Sequence, residues 1–110
     1  MKSGFVAYHY PHAFYRDEFA PRVEAVARVF RTVPGCLSAD CWLSHDGESV
    51  VSIVTTESPE ALQKAFATVR SEETRKTLEA EFGPTPEGED DGTDTEHFVR
   101  PHEIHWLAGL

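Results

Sequence analysis

No run in this 110-residue chain approaches the ~20 consecutive apolar residues of a membrane-spanning helix. The first residues also lack the apolar core of a secretion signal, so a cytoplasmic location is expected. Cysteine is scarce: only Cys36 and Cys41 are present. Their odd spacing along one strand-like run places the side chains on opposite faces, which excludes a bridge between them. Neither has ligand company at a metal-binding spacing. Glycine-rich phosphate loops, Cys/His ligand sets and nucleophile elbows are all missing, so no cofactor and no metal are expected. Positive charge is short as well, and the net charge of −9 argues against nucleic acid and anionic membranes as partners.

Much of that negative charge is local. The stretch 83–96 holds Glu87, Glu89, Asp90, Asp91, Asp94 and Glu96 without a Lys or Arg, which leaves a net −3 for the rest. Its carboxylates do not follow the ligand pattern of a calcium loop, so a solvated, mobile acidic loop is expected. At this length one domain is expected, spanning 1–110.

What is present is a sequence of clear local signals. Phe5-Val6-Ala7-Tyr8-His9-Tyr10 reads as a first strand, apolar or aromatic on both faces. Val23, Val26, Ala27, Phe30 and Val33 then recur at helical spacing, with Arg22, Arg28 and Arg31 expected on the other face. Pro21 suits only a first turn, which predicts a helix starting near Ala20, and Pro34-Gly35 ends it. Leu37, Ala39, Cys41 and Leu43 alternate with Ser38, Asp40, Trp42 and Ser44 as in a strand. Asp46-Gly47 is a hairpin turn signal, and Val50–Val54 returns as a strand rich in β-branched residues. Ser58 is an N-cap with Pro59 in the first helical position, followed by Ala61, Leu62, Ala65, Phe66 and Val69 on one face. A further helical segment over 72–82 precedes the acidic loop, and strand patterning resumes around Pro101.

The order β-α-β-β-α-β predicts an α+β, ferredoxin-like antiparallel sheet with helices on one face. The first and third strands do not alternate apolar with polar, so the uncovered face should be an association surface. A homodimer through that face, enclosing a pocket as a dimeric α/β barrel, is the expected arrangement.

Pro34-Gly35-Cys36-Leu37, the hairpin to Thr56, and Glu57-Ser58-Pro59-Glu60-Ala61-Leu62 resemble the antibiotic biosynthesis monooxygenase-like family of dimeric α/β barrels. The resemblance spans about Phe5 to Val69. It implies the ferredoxin-like fold and, as activity, oxygenation of small quinols or polyketides, or haem degradation. Haem-degrading relatives have a Trp at the end of the third strand and a His on the helical segment after it. Here Thr55-Thr56 stands at the first place and no His lies between Ser58 and Gly83, which disfavours haem degradation. Many oxygenase relatives also carry an aromatic residue at that strand end, and this chain does not.

Cofactor-independent oxygenation needs an apolar cavity, one base to form a phenolate or enolate, and donors for the oxyanion. Two residues are candidate bases. Asp40 shares a strand face with Ser38 and Trp42, expected to point into the dimer pocket; its other reading is a solvated or Arg-paired carboxylate. His9 is either the base or a structural residue, and alternation does not decide which face of its strand lines the pocket. Trp42 would stack on a planar substrate or pack in the interface, with Tyr8 and Trp106 as further walls and His105 as ambiguous as His9. The pairs His9/His12 and His102/His105 are poor chelates, since a three-residue offset on a strand separates the partners. The expected function is thus a small cofactor-independent monooxygenase acting on an aromatic, quinol or polyketide-like substrate. The alternative is a non-catalytic dimeric barrel that binds a small ligand or has no open pocket.

Overall fold

A computed structural model describes residues 1–110. The elements are β1 (Ser3–Pro11), α1 (Ala13–Thr32), β2 (Cys36–Leu43), β3 (Val50–Thr56), α2 (Pro59–Val69), α3 (Glu72–Phe82) and β4 (Phe98–Ala108). The four strands form one sheet in the order β2-β3-β1-β4, every neighbouring pair antiparallel. This is the ferredoxin-like α+β fold that the element order predicts. No helix is long and apolar enough to cross a membrane.

Local chemistry explains most boundaries. Ser58 Oγ accepts from the Ala61 amide at 3.1 Å and Pro59 opens α2, so two orphan-donor problems at the helix start are solved by two residues. Ser71 caps α3 in the same way through the Thr74 amide. Gly35, at φ 90, takes the left-handed conformation between α1 and β2 that a side chain would resist.

The β2–β3 hairpin closes around Asp46, whose Oδ1 accepts from Ser44 Oγ at 2.6 Å and from the Glu48 amide at 2.9 Å. These two bonds hold its carboxyl below the usual carboxylate range. A depressed folded value means the stabilisation is present above the unfolded pKa and fades as pH falls through the folded one. Asp46→Asn is therefore expected to destabilise the protein at neutral pH, with the difference from wild type shrinking in acid. A pH series of thermal melts checks this; a constant gap would count against it.

Three expectations change. Helix α1 starts at Ala13, a full two turns before Ala20, and carries Pro21 in its interior. Pro21 and Asp17, the residue whose carbonyl loses its partner, are both exposed, so water can take the freed acceptor. The early turns are retained because Tyr15 and Phe19 are buried by them. Secondly, Arg22 is not on a solvated face: it is only 7% exposed. Thirdly, Cys36 and Cys41 do not point apart. A register shift between Cys36 and Ser38 resets the alternation, and both thiols pack against the helix-side core. Burial pushes both thiols up, which disfavours the reactive thiolate.

The core lies between the sheet and the helices as two clusters. One joins Phe5, Ala7 and Val54 of the sheet to Phe30, Leu62 and Ala65 of α1 and α2. The other gathers Tyr15, Phe19 and Val23 of α1 with Val50 and Phe98. On the far side of the sheet Val6, Tyr8, Val51 and Ile53 are half-buried and Trp42 is 60% exposed.

Candidate functional site

Strand alternation sends Phe5, Ala7 and His9 of β1 to the helix side, and cross-strand pairing aligns them with Val54 and Ser52 of β3 and Ile104 of β4. These residues floor a cavity of about 300 Å3 roofed by α1 and α2, with Phe19, Val23 and Phe30 from one helix and Phe66 and Val69 from the other. Its volume is at the small end of ligand sites, and its walls are mostly apolar. The space lies within one chain, between sheet and helices, and not between two sheets.

Three polar side chains converge there. His9 stands edge-on to Phe19, ring centroids 5.4 Å apart. His102 of β4 is 5.7 Å from the His9 ring. Glu89 arrives from the acidic stretch: its carboxylate bonds His9 Nδ1, and its Oε1 lies 3.7 Å from His102 Nδ1. The Glu89 side chain is 14% exposed.

The stretch 83–97 is therefore not simply a solvated acidic loop. Arg22 straps its beginning, donating to Thr85 Oγ1 at 3.1 Å and to the carbonyls of Phe82, Gly83 and Pro84 at 2.9, 3.3 and 3.3 Å. At its end the Asp94 carboxylate accepts from the His97 amide at 3.0 Å and bonds the His97 ring. The His12 amide donates to the His97 carbonyl at 2.8 Å. Gly88 and Gly92, both with positive φ, let the chain turn Glu89 inward.

The chemistry of the pair follows from the donor inventory. A carboxylate only accepts, so the proton of a neutral His9 sits on Nδ1 and the lone pair on Nε2. That leaves Nε2 free to take a proton in an apolar enclosure. No group of three His, Cys, Asp or Glu side chains converges with ligating geometry.

The candidate residues fall on both faces of the sheet. His9 lines the cavity; Asp40 is exposed on the opposite face of the sheet, across from Ile53. Tyr8 is on that opposite face too, edge-on to His105 at 5.8 Å, and Trp42 projects there into solvent. Trp106 is on the helix side but outside the cavity, packed on Phe66 at 5.6 Å and 62% exposed. Sequence reasoning missed Glu89, His102 and Arg22. Period-two counting on β4 puts His102 in phase with Ile104 and Trp106, so that residue had a readable signal. Glu89 had none, because no periodicity governs an irregular segment.

No protein-family model matches the sequence, and no curated protein matches it either. Solved structures do. The chain is similar to Rv0793 from Mycobacterium tuberculosis at 23% identity and a TM-score of 0.70, covering 100% of this chain and 96% of that one. An antibiotic biosynthesis monooxygenase is similar at 14% identity and a TM-score of 0.67, covering 100% and 99%. SnoaB, a cofactor-independent oxygenase from Streptomyces nogalater, is similar at 15% identity and a TM-score of 0.65, covering 99% and 93%. At such identities what is shared is the fold. This chain therefore has the fold of the antibiotic biosynthesis monooxygenase-like proteins.

Proposed function

We propose that this protein is a small cofactor-independent monooxygenase acting on an aromatic, quinol or polyketide-like substrate held between sheet and helices. The observation that carries the reading is the His9–Glu89 pair lining an apolar cavity. The fold shared with SnoaB, described as a cofactor-independent oxygenase, supports it. His9 Nε2 takes the proton of a phenol or enol, and the apolar walls leave the resulting anion poorly solvated and electron-rich. With an anthrone-type substrate, the anion reacts with dioxygen at the ring methylene carbon. A C–O bond forms, the O–O bond and both C–H bonds break, one oxygen becomes the product carbonyl and the other leaves as water. The substrate supplies all the electrons. Dioxygen uptake with anthrone-type phenols and quinols tests the reading, and no uptake from mildly acidic to mildly alkaline pH would overturn it.

The association surface belongs to the same proposal. Two copies pair through the uncovered sheet face, where Val6, Tyr8, Val51 and Ile53 form an apolar centre. Ile53→Arg is expected to convert a dimer into a monomer by sedimentation velocity, because it places a charge at the middle of the contact. A wild-type protein that sediments as a monomer at micromolar concentration would remove this part.

A further inference from the structure

We propose that the substrate is an acid: a small aromatic or enolic compound bearing a carboxylate, received by Arg70 at the rim of the cavity and attracted by Arg22 in its wall. This rests on reading the cavity as a substrate pocket. The inference comes from the charges that line it. Apart from the histidines, its ionisable residues are Glu89, Arg22 and Arg70. Glu89 is committed to His9. Neither arginine forms an ion pair, although the chain carries nineteen carboxylates against ten Lys and Arg.

Arg22 is buried, and its partners are all neutral: one hydroxyl and three carbonyl oxygens. Its Nε has no partner at all. Neutral dipoles stabilise a guanidinium without cancelling its charge, so its positive field reaches into the apolar space beside it. Arg70 ends α2, where the helix dipole favours a cation, and no carboxylate pairs with it. Its guanidinium lies over the Phe66 ring, 5.0 Å from the centroid, at the wall of the same cavity. Two arginines without a carboxylate partner and one occupied carboxylate make a site that attracts anions. The fork of Arg70 suits a planar carboxylate. Arg22 lines the same cavity as His9, so its field favours the oxyanion that His9 creates.

The probes are 3-hydroxy-2-naphthoic acid and 2-naphthol, the same ring system with and without the carboxylate. Calorimetric titration of the full-length protein at low ionic strength is expected to show the acid binding roughly tenfold or more tighter, with the advantage shrinking as salt is added. Because Arg22 also holds the strap, the variant of choice is the exposed Arg70. Arg70→Gln should weaken the acid far more than 2-naphthol and bring the two affinities towards parity, and Arg70→Lys should retain part of the preference. Equal affinities in wild type, no binding of either probe, or a preference that survives Arg70→Gln would each overturn the inference. Dioxygen uptake separates the two readings. A protein that oxidises neutral phenols without preferring the acid refutes this inference alone; one that prefers the acid and consumes no dioxygen refutes oxygenation alone.

Discussion

His9→Gln is expected to lower the rate of dioxygen uptake with an anthrone-type phenol by roughly 100- to 10,000-fold, with KM almost unchanged. Glutamine keeps much of the volume and polarity but cannot accept and hold the substrate proton. Fold and cavity should survive, since the strand is held by its neighbours and the His9 ring contributes one wall among many. Glu89→Gln should cost a comparable factor for a different reason. A side-chain amide can donate to Nδ1, which would move the imidazole proton to Nε2 and present the cavity with a donor in place of a base. Asp40→Asn is the control: Asp40 is exposed on the other face of the sheet, and its replacement should leave the rate as it was. A His9→Gln protein working within a few-fold of wild type, or a large loss in Asp40→Asn, would remove His9 as the base.

Phe98→Ala is expected to destabilise the protein by about 3–5 kcal/mol, read as a lower denaturant midpoint at unchanged slope. The ring is only 2% exposed. It packs edge-on against Phe19 at 5.1 Å and against Tyr15 at 5.8 Å, so its removal empties the centre of the second cluster. Neighbouring side chains cannot collapse far into the gap, since Tyr15 and Phe19 are fixed on one helix and Phe98 starts a strand. The same residue anchors the point where the stretch carrying Glu89 rejoins the sheet, opposite Pro11 of β1. Hydrogen exchange should therefore rise first in 83–97 in this variant, before the β2–β3 hairpin is affected. A loss below about 1 kcal/mol would mean that the site relaxes in a way the packing does not suggest.

The parts of the fold that were legible in the sequence are those whose information is local. Asp46-Gly47 specifies a turn with its own side chain and its own positive φ, and Ser58-Pro59 specifies a helix start with a hydroxyl and a fixed ring. β3 reads as a strand because β-branched residues fit a pleated surface wherever it lies. Element order then limits the topology to few solutions. The start of α1 was not legible: Pro21 signals a boundary locally, and only the burial of Tyr15 and Phe19 against β3 and β4 overrides it.

Alternation alone places His9 with Phe5 and Ala7, and Asp40 with Trp42. Which of those two sets faces the helices was settled by docking α1 and α2, and with it which candidate base is enclosed. The inward turn of Glu89 and the burial of Arg22 depend on contacts between segments some sixty to eighty residues apart in the chain. Periodicity encodes which side chains share a face; it carries no record of what that face will meet, because the enclosing contacts exist only once the chain has closed on itself.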